Sequence, residues 1–295
     1  MERALAVLGI FKSLNFLVLA ISLSLLSGCG SLISSATSGL ANDLSASIKR
    51  QKDPKTVESA LPAYLILLDA MLISDEHNIG TLKAAATLNS SYASLFTDTP
   101  ERQQVFTQKS LDYAMKALCL TESSACSIKS MPFKQFESVV QKIDTENLSA
   151  YYTVAASWAG WIQANNQDWN AIADLARVEK IMRRVIEVNE AYDTGNAHLY
   201  LGVITTILPS AMGGRPEQGK IHFEKAIQFS SNKNLFAKVM YAEKYARLVF
   251  DQNLHHQLIK EVINAKVEDN KLTLINIIAQ KKAKQLLATE IEYFE

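Results

Sequence analysis

Apolar residues recur at intervals of three and four from residue 54 to the C-terminus, and alternation of β-branched residues is rare. This spacing places apolar side chains on one face of a helix, whereas a half-buried strand needs an apolar residue at every second position. Hydrophobic residues make up 48% of the chain, which is enough to bury the core of one large domain or one repeat array. The pattern predicts an all-α chain from residue 54 onward.

The predicted helices come in consecutive antiparallel pairs. The pairs are residues 80–96 with 101–119, 148–165 with 171–190, 196–202 with 214–227, and 235–250 with 254–265, and residues 271–293 form a closing helix. In the segment 214–227, Gly219, Phe223 and Ala226 share one helical face, and this segment resembles the second half of a tetratricopeptide repeat. We therefore predict an α-solenoid of stacked pairs of tetratricopeptide type, with a non-repetitive helical bundle as the alternative.

The first 28 residues have the profile of a signal peptide. Arg3 and Lys12 precede an apolar stretch that is shorter than the roughly 18 to 20 residues needed to cross a bilayer. The tetrad Leu26-Ser27-Gly28-Cys29 that follows is similar to a lipobox, in which the cysteine is acylated before cleavage. We predict a lipoprotein signal peptide at 1–28, a lipidated N-terminus and flexible tether at 29–53, and a helical domain at 54–295. The alternative is an ordinary secreted protein with a free Cys29.

Acylation of Cys29 predicts where the mature chain resides. Two or more acyl chains hold a protein durably at a membrane lipid surface, whereas one chain binds only marginally. Gly30 follows the cysteine, at a position where an Asp would favour retention in the inner membrane of many Gram-negative bacteria. The predicted location is therefore periplasm-facing and lipid-anchored, with the outer membrane favoured over the inner membrane.

Charge and motifs weigh against several classes of function. Basic and acidic residues number 30 each, and no basic stripe is present, so nucleic acid is not an expected partner. The sequence contains no Gly-x-Ser-x-Gly elbow, no phosphate-binding glycine loop and no His-Glu-x-x-His motif. His255 and His256 are adjacent, while His77, His198 and His222 are isolated, so a surface or capping role is predicted for each. We predict no metal, no cofactor and no enzymatic activity.

Two further cysteines remain once Cys29 is assigned to lipid. Cys119 and Cys126 then form an even pair in an oxidising compartment, which favours a disulfide that closes a small loop at the end of a helix. The alternative is two reduced, partly buried thiols.

Several segments, taken in order, resemble the T component family of TRAP transporters, the periplasmic lipoproteins associated with some tripartite ATP-independent uptake systems. The similar segments are residues 61–69, 150–161, 168–175, 198–202, 213–217 and 245–251. The resemblance implies a tetratricopeptide-like fold and a partnership with the periplasmic solute-binding protein of a TRAP system, which delivers organic acids or other small ligands to the permease. It also implies a cleft or pore in the helical domain through which a small organic or apolar ligand is handed over.

An aromatic group provides the candidate ligand cleft. Its members are Tyr151, Tyr152, Trp158, Trp161 and Trp169. Aromatic walls line many apolar ligand sites, and the Trp N–H groups supply direction. The alternative is that Trp158 and Trp161, three residues apart on one helical face, simply fill the core.

A glycine-rich loop is the second candidate. Gly214 offers an exposed amide and Arg215 a guanidinium, and together they are suited to a carboxylate of a ligand or partner. The favoured alternative is a turn in which the glycines supply positive φ and Pro216 opens the next helix.

Two functions remain open at this point. The first is a membrane-anchored accessory lipoprotein of a TRAP-type uptake system that docks the solute-binding protein and binds or hands over a small organic ligand. The second is a tetratricopeptide scaffold for envelope protein assembly with no small ligand. A homo-oligomer is compatible with either function.

Overall fold

A computed structural model of the chain describes residues 39–41 and 43–295. Within these residues all regular structure is helical and no strand is present, which confirms the all-α prediction. The α-helices are α1 Pro54–Ser74, α2 Ile79–Phe96, α3 Pro100–Thr121, α4 Phe133–Val140, α5 Leu148–Ala164, α6 Trp169–Ala173, α7 Leu175–Val188, α8 Asn196–Thr205, α9 Pro216–Phe229, α10 Leu235–Met240, α11 Gln252–Asn264, α12 Thr273–Ala288 and α13 Glu290–Phe294. A π-helical segment, Tyr241–Ala246, continues α10.

Local side chains explain where several helices begin. Asn78 and Asp251 precede α2 and α11, and their side-chain oxygens accept hydrogen bonds from backbone N–H groups of the first turn. Thr99 does the same for α3, and Pro100 follows it at a position where a helix has no use for an N–H group. These caps place helix starts within a few residues of the positions predicted from periodicity.

The helices stack as the predicted pairs. In the first, second and third pairs, α2 packs on α3, α5 on α7, and α8 on α9, and the fourth pair joins α10 and its π-helical extension to α11. The second helix of one pair also packs on the first helix of the next, as α3 does on α5 and α7 on α8. The hydrophobic core is accordingly a series of neighbouring clusters, which is the arrangement of a solenoid.

The two ends of the described solenoid meet, a contact that the sequence did not predict. Arg50 donates from Nε to the backbone oxygen of Asn270 at 3.1 Å, and Lys52 pairs with Glu268 at 3.3 Å. Leu274 of α12 is buried in the same apolar cluster as the inner face of α1. The solenoid therefore curves until its C-terminal part contacts its first helix.

Helical structure begins earlier than the predicted boundary at residue 54. Residues 43–49, which we expected within the flexible tether, are helical because Ile48 is buried in the cluster that contains the inner face of α1. The predicted signal peptide and Cys29 lie outside the described residues.

Candidate functional site

The predicted aromatic residues do not form one wall. Tyr151 and Trp158 are fully buried in the core of α5, and the Trp158 indole donates to Oδ2 of Asp174 at 3.1 Å. Burial of Trp158 agrees with the alternative in which Trp158 and Trp161 fill the core, and Tyr151 is buried as well. Both side chains lie beneath the protein surface, so they offer no surface to a ligand.

Trp161 and Trp169 lie in two other environments. Trp161 is half-buried, donates to Oε1 of Gln108 at 2.7 Å, and has the ammonium of Lys129 3.8 Å from its ring centroid. Trp169 is 82% exposed at the start of α6, beside a cleft of about 420 Å³ that includes Gln104. Neither indole contacts the other members of the predicted group closely enough to share a pocket with them.

The loop at Gly214 and Arg215 is a turn held by internal contacts. The Arg215 guanidinium pairs with Glu179 at 2.6 Å, so it is already committed to a carboxylate of this chain. Burial alone would raise the pKa of Glu179, but hydrogen bonds from Arg215 and Arg183 hold it below its ordinary value. A Cβ at Gly214 would lie 1.7 Å from the backbone oxygen of Leu208, which explains why glycine stands there. The geometry favours the turn.

Tyr152 is the member of the predicted group that does sit in a half-buried aromatic cluster. Its ring centroid lies 5.2 Å from that of Tyr192 and 6.3 Å from that of Tyr200, both in edge-on geometry. Its hydroxyl donates to Oδ2 of Asp193 at 2.9 Å. Burial raises the pKa of Tyr152 well above its ordinary value and that of Tyr200 to about 12, so both hydroxyls keep their protons at neutral pH.

The turn that carries Asp193 is held in an unusual conformation. Asp193 and Thr194 have positive φ angles of 47° and 56°, which cost non-glycine residues about 1 kcal/mol or more each. Gly195 follows with φ 80°, and a Cβ there would lie 2.6 Å from the Cβ of Phe229. Asn196 donates to Oδ2 of Asp193 at 3.0 Å, so the carboxylate has a fixed orientation towards Tyr152.

Lys83 extends this cluster along the junction of α2 and α5. Its ammonium donates to Oγ of Ser149 at 2.7 Å, and no carboxylate in residues 39–41 or 43–295 forms an ion pair with it. Burial lowers the pKa of Lys83. Ser149 lies one helical turn before Tyr152 on the same face of α5. Through Ser149 the lysine places a partly desolvated cation about one helical turn from Tyr152.

We call this arrangement the Tyr152 strip. It consists of Lys83, Ser149, Tyr152, Tyr192, Asp193 and Tyr200. An ammonium without an acidic partner can bind a carboxylate, and the tyrosine faces and edges can pack against an apolar body. Sequence reasoning found Tyr152 and missed the other five members, because their proximity depends on how α2, α5 and α8 pack.

A larger cleft of about 770 Å³ lies at the C-terminal end of α1. Three of the charged residues that line it are paired: Asp69 binds Lys109 and accepts a hydrogen bond from the Tyr113 hydroxyl at 2.6 Å, and Lys116 pairs with Glu76 at 2.8 Å. A charged ligand would have to displace these pairs, so this cleft is a weaker candidate than the Tyr152 strip.

The predicted surface or capping role is wrong for three of the histidines. His198 and His222 are buried, with their Nδ1 atoms 2.9 Å apart, because the packing of α8 on α9 brings them together. His255 is also buried, and it shares the Glu290 carboxylate with His256 at 3.0 and 2.9 Å. One signal in the sequence could have predicted the burial of His222. It lies next to Phe223, close to the helical face of Gly219, Phe223 and Ala226 that was expected to pack. In the described part of the chain, no group of three or more His, Cys, Asp or Glu residues is placed to hold a metal ion.

Cys119 and Cys126 are bonded to each other in the structure. The bond joins the last turn of α3 to the residue after the 3₁₀ turn Ser123–Ala125, so it fixes the exit of the chain from α3.

One family model, described as TAtT, TRAP transporter T-component, matches residues 50–294. This span includes helices α1 to α13 and all members of the Tyr152 strip. No curated protein matches the chain.

Proposed function

The chain belongs to the TRAP transporter T-component family, and from this premise we propose that it docks the solute-binding protein of a TRAP system and hands over a small organic ligand. Membership makes it an accessory component of a TRAP transporter that works with other components of such a system. The family is one of transporter accessories and not of enzymes.

The proposal includes a membrane anchor at Cys29. The apolar segment before the cysteine and the small residues next to it support cleavage and acylation, and the oxidised Cys119–Cys126 pair is compatible with a compartment outside the cytoplasm. A tethered accessory stays at the membrane surface while a soluble binding protein comes and goes. Gly30 supports the outer membrane over the inner membrane.

The single observation that supports ligand binding is the ammonium of Lys83, which is bound to Ser149 one helical turn from Tyr152 and has no ion pair with a described carboxylate. A half-buried lysine normally has an acidic partner, because desolvation of an unpaired charge is costly. A carboxylate of an organic acid would supply the missing partner, and its hydrocarbon part would pack against Tyr152 and Tyr200. The proposed ligand is therefore an organic anion with an apolar body.

Ligand binding by Lys83→Met tests the proposed site. Loss of a charge-assisted hydrogen bond of about 1.5 to 3 kcal/mol should weaken the binding of an organic acid roughly tenfold or more. Titration calorimetry with a panel of linear and branched carboxylates measures the effect. Lys134→Met is the matched control, because Lys134 is exposed and forms no ion pair among the described residues.

Capture of the binding protein tests the partnership separately. The acylated chain in membranes should retain the solute-binding protein encoded beside it, and Lys83→Met should retain it as well, because the substitution alters the ligand site and not the whole surface. If no binding protein is captured and no carboxylate binds, the proposal is wrong and the scaffold for envelope assembly is the better function.

A further inference from the structure

The outward face of α1 is an apolar surface that no described residue covers. Five residues of α1 are buried against the rest of the domain, namely Val57, Leu61, Leu65, Leu68 and Leu72. On the opposite side of the same helix, at 100° per residue, lie Ala63, Ile66, Leu67, Ala70 and Ile73. Ile73 is 86% exposed, Ile66 69% and Leu67 42%. We call these five residues the α1 outer face.

The α1 outer face carries no charge. Between residues 59 and 74 the sole charged side chain is Asp69, and it is turned towards α3, where it binds Lys109 and the hydroxyl of Tyr113. Among the described helices, α1 is the one that is long and apolar enough to cross a membrane, judged by length and composition alone. The lack of charge on its outer side is typical of a helix whose outer side does not face water.

The contacts of α1 exclude lipid from its inner side. Leu61, Leu65 and Leu68 pack in a core cluster with residues of α2, and Leu274 of α12 joins the same cluster. A helix that crosses a bilayer next to this domain would have to leave those contacts. The end helix of a solenoid usually has a polar outer face, because that face meets water. An apolar face at this position is expected to contact a partner that excludes water. Only the outer side of α1 is available for that contact, because the inner side is packed.

We propose that the α1 outer face lies on the surface of a lipid membrane, with the helix parallel to the membrane plane. The 38 residues that precede the described part of the chain contain the signal-like segment and Cys29. From there the chain enters helical residues 43–49, which pack beside α1, so an anchor at Cys29 would hold this helix close to lipid. Interfacial helices bind by burying one apolar face among headgroups and acyl chains.

Charges next to the face suit a membrane with anionic lipids. Lys49 and Lys55 are exposed at the entry to α1, and the charge of Lys55 also acts on the exposed carboxylate of Asp53. Juxtamembrane lysines attract anionic headgroups by about 1 kcal/mol each.

Vesicle binding without the anchor tests this inference independently of ligand transfer. The mature chain with Cys29→Ser, produced without residues 1–28, lacks both the signal-like segment and the acylation site, and it should still bind vesicles of phosphatidylethanolamine and phosphatidylglycerol in a flotation assay. The double variant Ile66→Gln with Ile73→Gln should bind roughly tenfold more weakly, because two exposed apolar side chains no longer enter the lipid. Glutamine forms helices well, and both positions are exposed, so the fold should be kept.

Ile291→Gln is the matched control, since Ile291 is 66% exposed on α13, away from α1. It should bind vesicles as the Cys29→Ser chain does. Three results would overturn the inference: no vesicle binding by the Cys29→Ser chain, equal binding by the double variant, or self-association in sedimentation that the double variant abolishes without any change in vesicle binding. The last result would show that a second copy of the chain covers α1.

Discussion

Single side chains show how burial changes the chemistry of a residue. Trp158 and Trp169 look equivalent in the sequence, yet one is fully buried and the other is 82% exposed. A ligand could alter the environment of Trp158 only by moving the core around it or the Asp174 carboxylate that it binds. Tyr152, on the same helix as Trp158, is half-buried and contacts Tyr192, Tyr200 and Asp193, so it is the centre of the candidate site.

The buried pair His198 and His222 should make stability depend on pH. Burial lowers the pKa of His198, and burial with the charge of His198 lowers that of His222 to about 4 from its ordinary value of 6.5. Below pH 6.5 the unfolded chain binds protons that the folded chain does not, so the free energy of unfolding should fall as the pH drops from 6.5 towards 4. Urea unfolding at a series of pH values measures this dependence.

The effect can be assigned to the pair by substitution. Glu190, Lys225, Arg183 and Glu179 surround the two rings. His222→Gln removes one titrating group and should flatten the dependence between pH 6.5 and 5. His77→Gln, at an exposed position, should leave it unchanged. An unaltered slope in His222→Gln would contradict the assignment.

Helical elements in this chain are joined by a few buried polar side chains. Asn276 of α12 is 1% exposed, and its amide donates to the backbone oxygens of Lys233 and Val267 at 3.0 and 3.2 Å. Its Oδ1 accepts from the backbone N–H of Leu235 at 3.0 Å. One side chain thus ties α12 to the start of α10 and to the segment after α11.

Replacement of Asn276 should be costly for this reason. Asn276→Leu would leave three backbone groups without partners, one of them buried and two partly buried, and we expect the free energy of unfolding to fall by about 2 to 3 kcal/mol. Denaturant unfolding measures the loss. Asn253→Leu, at an exposed position on α11, should change stability by less than about 0.5 kcal/mol. Equal effects of the two substitutions would rule out this role for Asn276.

The whole molecule is a solenoid whose ends touch, and this couples distant parts of the chain. Leu274 is 6% exposed and belongs to the apolar cluster of α1, whereas Leu286, on the same helix and 7% exposed, belongs to the cluster of α9 to α12. In an open solenoid each repeat depends only on its neighbours. Here the first helix also depends on the last part of the chain.

Two substitutions of the same type distinguish these clusters. Leu274→Ala should cost about 2 to 5 kcal/mol and increase hydrogen exchange in the inner half of α1 as well as in α12. Leu286→Ala should cost a similar amount but leave exchange in α1 unchanged. Unaltered protection of α1 in Leu274→Ala would show that the contact between the ends adds nothing to stability.

The local elements of this protein could be predicted from the sequence. Helix positions, the antiparallel pairs and the turn at Gly213 to Pro216 depend on residues three or four apart and on caps, so periodicity and turn chemistry are sufficient to place them. The interruption of the predicted helix 171–190 at Asp174 and the short helix α4 were missed, because neither has a strong local signal. The family could also be recognised from the sequence, because several segments that resemble the family follow one another along the chain.

Contacts between elements were decided only by the tertiary structure. Lys83 contacts Ser149, His198 contacts His222, and residues 50–52 contact residues 268–270. The members of each pair are far apart in the sequence. An apolar stripe on a helix has the same pattern whether it faces the core, a lipid surface or another protein. The periodicity of α1 therefore showed that it has apolar faces, and only packing showed which one remains free.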